Sequence, residues 1–406
     1  MRKYSEYKNS GIPWIGNIPS HWNIERGKNV LTLLDRPIMD TDDVITCFRD
    51  GEVTLRKNRR EEGFTLSFQE IGYQGIEPGD LVVHGMDGFA GAIGVSDSRG
   101  KATPVLNVMD SIHNKRFLMY YLRTAAYKDV FMSLSTGIRV RSCDLRWNKL
   151  SVFPFVLPER EEQDRIAEYI DDKLLQINNI ISEAKASIEE YKAWKSSIIY
   201  EAVTKGLDPN VEMKDSGVDI IGNMPDHWTV CRLKYLCNVM TGNQDTQNAD
   251  ENGMYPFYVR SPIVQHSNTY TYDGEGILMA GDGAGAGRVF HHAFGKYAIH
   301  QRVYCFHDFK NINIRYFLYF ISELFKKVMD KGSAQSTVPS VRLPMIQDFV
   351  FCMPDAKEQA DIVRYLDAKC NKIDEIISEK EVLIADLESY KKSLIFEVVT
   401  GKRKVV

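Results

Sequence analysis

No run of about 18 apolar residues occurs in this chain, so it offers no candidate membrane-spanning helix. Cysteine is sparse and unpatterned: the seven cysteines are scattered, none forms a Cys-x-x-Cys pair, and the count is odd. That usage argues against a cysteine-built zinc site and points to a reduced, cytoplasmic compartment. The opening stretch Met1-Arg2-Lys3-Tyr4-Ser5-Glu6-Tyr7-Lys8 is polar and holds no signal-peptide core. Consecutive prolines never occur, which removes the Asn/Asp-Pro-Pro-Tyr/Phe loop that an adenine methyltransferase needs. Gly-Lys pairs stand at 27–28, 100–101, 295–296 and 401–402, but Ser or Thr follows none of them, so the phosphate loop of a motor is missing. His291-His292 has no third ligand at sensible spacing, and no metal is expected.

What the chain has is repetition. Lys8-Asn9-Ser10-Gly11 through Ile15-Gly16-Asn17-Ile18-Pro19-Ser20-His21-Trp22 returns as Lys214-Asp215-Ser216-Gly217 through Ile221-Gly222-Asn223-Met224-Pro225-Asp226-His227-Trp228. Pro158 to Gly206, opening Pro-Glu-Arg-Glu-Glu-Gln, returns as Pro354 to Lys402, opening Pro-Asp-Ala-Lys-Glu-Gln. Between these parts the sequence diverges. The resulting organisation is a first domain with its leading element over 1–157, a long helix over 158–206, a second domain over 207–353, and a second long helix with tail over 354–406.

Each long segment reads as one helix. Ile166, Ile170, Leu174, Ile177, Ile181, Ala184 and Ile188 recur at steps of three and four, and no Gly or Pro intervenes before Gly206. Ile362, Leu366, Cys370, Ile373, Ile377, Ile384 and Leu387 mark the second seam. About 46 residues at about 1.5 Å each make a rod of about 69 Å. A lone rod would leave its apolar stripe in water, so the expectation is an antiparallel coiled coil of the two copies about a pseudo-twofold axis. Packing of each helix on its own domain is the alternative. The fold class is therefore α+β: two mixed α/β domains joined by two long helices.

The net charge of −4 is unevenly spread. Residues 158–204 carry 11 acidic against 6 basic groups and 354–400 carry 11 against 7, which leaves the remainder positive. A mildly basic remainder is compatible with a polyanion, because local field and not total charge steers one. Asp80-Leu81-Val82-Val83 and Gly276-Ile277-Leu278-Met279 read as strands, Asn114 to Met132 and Ile314 to Met329 as helices, and Leu150 to Phe155 and Ile346 to Phe351 as short closing strands. Glycine-rich turns span Met86 to Gly94 and Gly281 to Arg288. Each is either a tight strand-to-strand turn or a place where backbone approaches a ligand closely.

Candidate DNA-binding residues in the first domain are Arg56, Lys57, Asn58, Arg59, Arg60, Lys101, Arg139 and Arg141, with Arg146 nearby. In the second they are Gln244, Arg260, Arg288, His291, Lys296, Arg302 and Gln335. Arg reads guanine and Asn or Gln reads adenine in the major groove, while Lys and Arg also hold phosphates. Any single one of them is more often a solvated surface group; the run at 56–60 is the least incidental.

The two His-Trp elements, two divergent domains and two Pro-x-x-x-Glu-Gln helices together resemble the specificity subunit of type I restriction–modification systems. The resemblance implies that each domain is a target recognition domain reading one half of a bipartite, asymmetric site in double-stranded DNA. It implies helices that set the spacer and dock two modification subunits, with restriction subunits added for cleavage. It also implies a chain that is not an enzyme and binds no cofactor, S-adenosylmethionine, Mg and ATP belonging to the partner subunits. The first glycine turn has no arginine matching Arg288, so the resemblance gives that position no shared base-reading role. Two other classes stay open at this point. One is a scaffold that binds no DNA. The other is a nuclease built on Asp355, Asp367 and Lys369, although Asp171-Asp172-Lys173 holds the matching place in the other helix.

Overall fold

The computed structural model describes residues 3–59, 71–133, 145–332 and 339–405. It divides into two compact units, Met1–Ala184 with Glu381–Val406, and Lys185–Lys380. The division falls inside both long helices. Each unit thus holds one repeated His-Trp element, one mixed α/β domain, the start of one long helix and the end of the other.

The long helices run over Arg160–Lys205 and Ala356–Val399. Both end where glycine takes the left-handed conformation, Gly206 at φ 76° and Gly401 at φ 71°. In the last turns the Thr204 and Thr400 hydroxyls donate to the carbonyls of Tyr200 and Phe396, each at 2.6 Å.

In the first unit a four-stranded antiparallel sheet has the order Thr32–Leu33, Leu106–Asp110, Leu81–His84, Ile93–Val95. The helix Lys115–Tyr127 shares its core. The second unit repeats this frame with Asn238–Thr241, Val303–His307, Gly276–Ala280 and Phe290–Ala293, and with the helix Ile314–Gly332. The common frame persists where the sequences have diverged, because it needs only an apolar sheet face and an apolar helix face. The second layers differ. In the first unit they are two ribbons, Ile45–Cys47 with Val53–Leu55 and Gln74–Ile76 with Gly100–Ala102. In the second they form one sheet ordered Gln265–Ser267, Tyr255–Tyr258, Lys296–Ile299, Tyr272–Asp273, whose middle pair is parallel.

Each domain opens and closes on one antiparallel pair, Asn23–Arg26 with Pro154–Leu157 and Thr229–Arg232 with Val350–Met353. The closing strands start later than the sequence suggests. Leu150 ends a helical turn over Trp147–Leu150, and Ile346 lies in another over Leu343–Gln347. A short apolar run reads alike in a strand and in a helical turn, and Pro344 at the first turn favours the latter. The helix expected over 114–132 is likewise interrupted. It stops at Tyr127, Asp129 takes φ 56°, and a separate turn Val130–Ser133 follows.

The helix seams are covered within each unit. In the first, Ile166, Ile170, Ile177 and Ile181 share a core with Leu394, Ile395, Val398 and Val399, and Leu174, Ile384 and Leu387 pack against it. Lys391 Nζ donates to Asn178 Oδ1 at 2.8 Å, and Arg403 lies over the Tyr169 ring at 5.9 Å. In the second, Ile362, Leu366 and Cys370 share a core with Ile199, Ala202 and Val203; Ile188 and Ile373 are buried and Ile377 is half-buried. Lys195 pairs with Asp374 at 2.6 Å, and Lys380 lies 5.8 Å from the Tyr191 ring centre. In both units one partner's number rises as the other's falls, so the helix portions run antiparallel. The same helices also pack on their domain helices, which makes the two burial schemes complementary and not exclusive: Tyr120 and Arg116 meet Asp171 at 2.5 and 2.7 Å, and Tyr319 and Arg315 meet Asp367 at 2.7 and 2.6 Å. Asp367, part of the nuclease pattern, and its counterpart Asp171 are thus both held in ion pairs.

Candidate nucleic-acid interface

The repeated motifs act as clasps that hold each domain in place. In the first unit the Glu162 carboxylate accepts from the Tyr4 hydroxyl at 2.6 Å and from Trp22 Nε1 at 3.3 Å, and His21 Nε2 stands 3.1 Å away. Burial, and then the bond to Glu162, pushes the Tyr4 phenol far above its ordinary value. In the second unit Glu358 accepts from Trp228 Nε1 at 2.8 Å, with His227 Nε2 at 3.0 Å. The neighbouring glutamine fixes the domain helix. Gln163 accepts from Asn114 N at 3.0 Å and donates to the Pro158 carbonyl at 2.8 Å; Gln359 accepts from Asn313 N at 2.7 Å and donates to the Pro354 carbonyl at 3.0 Å. Asn114 and Asn313 in turn cap their helices, each side chain accepting from two backbone amides. The tryptophan rings also meet the end of the other long helix, where a Cβ on Gly401 would lie 3.3 Å from Trp22 and one on Gly206 3.3 Å from Trp228. The Pro-x-x-x-Glu-Gln and His-Trp motifs therefore join two helix ends and one domain helix at a single point in each unit.

The basic run of the first domain is largely turned onto its own fold. Arg56–Asn58 forms a 3-10 turn after Val53–Leu55. Arg56 Nε donates to Thr46 Oγ1 at 3.2 Å, Lys57 pairs with Asp43 at 2.5 Å, and Asn58 Nδ2 donates to Thr54 Oγ1 at 2.9 Å. Lys101, in the strand Gly100–Ala102, reaches the same segment, its backbone amide donating to the Asp43 carbonyl at 2.9 Å. Arg59 pairs with Asp50 at 2.7 Å and Glu52 at 2.8 Å and lies over the Phe48 ring at 4.3 Å. Arg56, Lys57 and Lys101 thus gather around residues 43–46, and Arg59 folds back on its hairpin. Arg146 lines a cavity beside the glycine turn with Gly85, Met86 and Asn107. Arg60, Arg139, Arg141 and Gln335 lie outside the described residues.

In the second domain the loops at 244–246, 260, 281–285 and 300–302 converge. Asp282, in the glycine turn, pairs with Arg260 at 3.0 Å and stands 3.7 Å from Arg302 Nε. Gln301 Nε2 donates to Asp245 at 3.0 Å. The candidate Gln244 is held by its neighbours. It is buried, Ser267 Oγ donates to its Oε1 at 2.8 Å, and its Nε2 donates to Thr269 Oγ1 at 3.0 Å, so its amide is spent inside the fold. His291 is also turned inward, its Nε2 donating to the Ser261 carbonyl at 3.1 Å beside the Tyr258 ring. Arg288 pairs with Asp330, and Lys296 sits 4.9 Å over the Tyr270 ring. The glycine turns do connect paired strands, Leu81–His84 with Ile93–Val95 and Gly276–Ala280 with Phe290–Ala293.

His84 holds the first turn. Its Nδ1 accepts from the amides of Met86 at 3.2 Å and Asp87 at 2.9 Å, and burial lowers its pKa, with Arg49 assisting and Asp87 opposing. Burial likewise lowers His291 and His300. A group with a depressed histidine pKa favours the folded state above its unfolded value of about 6.5, and that contribution is lost as pH falls through the folded value. Melting temperature is therefore expected to fall as pH drops below about 6.5. A melting temperature flat to pH 5 contradicts this.

Residues 225–384 match the family described as "Type I restriction modification DNA specificity domain". The likeness to specificity subunits carried by the repeated motifs is thereby borne out. It is 25% identical over 181 residues to the EcoDI type I restriction enzyme specificity subunit of Escherichia coli, a match covering 45% of this chain and 40% of that one. It is 24% identical over 335 residues to the MjaVIII specificity subunit of Methanocaldococcus jannaschii, covering 75% of this chain and 76% of that one. In fold it is similar, at TM-score 0.70 and 13% identity over 94% of this chain and 98% of the other, to a chain solved in work on complex assembly and conformational transition of the type I R-M system. The HsdS subunit of Thermoanaerobacter tengcongensis matches at TM-score 0.50 and 13% identity, over 95% and 98%. Among the described residues, no helix is long and apolar enough to cross a membrane.

Proposed function

We propose that this chain is the DNA-binding specificity subunit of a cytoplasmic type I restriction–modification complex. Each domain reads one half of a bipartite, asymmetric site, and the two long helices form an antiparallel coiled coil that sets the spacer and docks two modification subunits. Restriction subunits complete the complex, and S-adenosylmethionine, Mg and ATP act in the partners and not in this chain. The observation that carries the reading is the duplicated frame: the same clasp and the same four-stranded sheet recur, while the second layers differ. One reading domain alone would discriminate few base pairs. Two joined rigidly add their discrimination, at about 1–3 kcal/mol per mismatched pair.

Shortening both helices by the same number of whole turns tests this. The unread spacer is expected to change while both half-sites stay as they were, read from maps of modified bases. An unchanged spacer in a complex that still modifies DNA counts against the helices as its determinant.

A further inference from the structure

The glycine turns of the two domains share a feature that sequence comparison does not reveal. Asp87-Gly88 follows the strand Leu81–His84, and Asp282-Gly283 follows Gly276–Ala280. Each strand end is pinned in the same way: the Gly85 carbonyl accepts from Leu145 N at 2.9 Å, and the Gly281 carbonyl from Val341 N at 2.8 Å. Each turn then runs against the backbone of an arginine from the second layer. A Cβ on Gly91 would lie 2.8 Å from the Arg49 carbonyl, and one on Gly285 would lie 2.6 Å from the Arg260 carbonyl. Only glycine permits that approach. In both places the arginine side chain then meets the turn's aspartate, Arg49 Nη2 at 2.9 Å from Asp87 Oδ1 and Arg260 Nη1 at 3.0 Å from Asp282 Oδ1. Arg49 and Arg260 follow unlike strands of unlike second layers, yet hold the same place against the turn.

These guanidinium groups are anchored without being buried, at 65% and 45% side-chain exposure. Guanidinium has five N–H donors, and the recorded contact to the aspartate engages one nitrogen in each case, so donors remain for a ligand. The carboxylate fixes the direction of the fork, which lowers the entropy lost on binding. It also selects the ligand. A phosphate approaching the arginine meets the aspartate's like charge, whereas the uncharged edge of a base does not. The favoured partner of an exposed, oriented arginine fork on a duplex is the O6/N7 edge of guanine.

We propose that Arg49 and Arg260 are equivalent base-reading residues, one per domain, each aimed by the aspartate of its glycine turn at a guanine in one half-site. Asp87 and Asp282 are positioning residues. The proposal rests on the DNA-reading function above and names the side chains that perform it.

The test uses the assembled complex carrying Arg49→Ala, Arg49→Lys, Arg260→Ala, Arg260→Lys, Asp87→Asn or Asp282→Asn. The wild-type map of modified bases defines the site, and binding is then measured over a salt series on that duplex and on a duplex lacking it. The arginine variants are expected to lose about 5- to 150-fold on the cognate duplex. Non-specific binding should stay within about twofold and the salt slope should not change. Arg49 variants relax one guanine position in one half-site, and Arg260 variants one in the other. Asp87→Asn and Asp282→Asn relax the same positions more weakly and strengthen non-specific binding, an effect that a merely structural aspartate would not produce. The lysine variants keep the charge without the fork; they carry the test where an alanine variant does not fold. Equal losses on both duplexes, with a salt slope smaller by about one, would mark phosphate contacts and overturn the proposal. Unchanged discrimination in the lysine variants overturns it as well. A wild-type complex with no sequence preference would instead overturn the DNA-reading function itself.

Discussion

Trp22→Ala is expected to destabilise the first unit by about 3–5 kcal/mol, the usual cost of truncating a buried tryptophan. The ring is fully buried, packs edge-on to Tyr4 at 5.9 Å between ring centres, and lies against the Gly401 turn. Its Nε1 is one of the donors to Glu162. Truncation therefore opens a cavity and removes a charge-assisted hydrogen bond at the same point. For a unit of this size each kcal/mol lowers the melting temperature by about 2–4 °C, so a fall of about 6–20 °C is expected. Trp228→Ala should act alike in the second unit, where Trp228 Nε1 donates to Glu358. Phenylalanine at either position keeps most of the ring and loses the bond, and should cost about 1.5–3 kcal/mol, the range for hydrogen bonds to charged groups. Differential scanning calorimetry of the full chain measures all of these. A shift below about 3 °C for Trp22→Ala would show that the clasp contributes little to stability.

Replacement of residues 23–157 by the matching segment of a relative with a different target is expected to change one half-site entirely and leave the other untouched. The fold makes the exchange feasible, because the cut points lie side by side in the pair Asn23–Arg26 with Pro154–Leu157. The contacts that hold the domain to the frame come from Asn114 and Gln163, and both elements recur in the second copy as Asn313 and Gln359. If three base pairs differ between the half-sites, binding to the original duplex should fall by about 100-fold or more. Binding measured on duplexes carrying each combination of half-sites checks this. A change in both halves would contradict independent reading by the two domains.

Much of the frame was legible in the sequence, for identifiable reasons. The seam of Ile166, Ile170, Ile177 and Ile181 shows because a helix repeats every 3.6 residues. The clasp residues show as a repeat, since Glu162-Gln163 and Glu358-Gln359 hold equal places, although their hydrogen-bonding partners were not visible. The site was less legible. Arg59 belongs to the most conspicuous basic run, yet Asp50 and Glu52 on its own hairpin take its charge. Gln244 has the right side chain for adenine but is consumed by Ser267 and Thr269. The Arg49–Asp87 pair spans 38 positions and is joined only by tertiary folding. Its one signal in the sequence was an Asp-Gly step in each glycine turn, Asp87-Gly88 and Asp282-Gly283.

The most direct measurement is a genome-wide map of modified bases in the source cell, with the gene for this chain present, deleted and restored. The account predicts one motif of two unlike specified tracts around a fixed unread spacer, lost on deletion and recovered on restoration. A map that deletion leaves unchanged, or a motif with no internal gap, would contradict it.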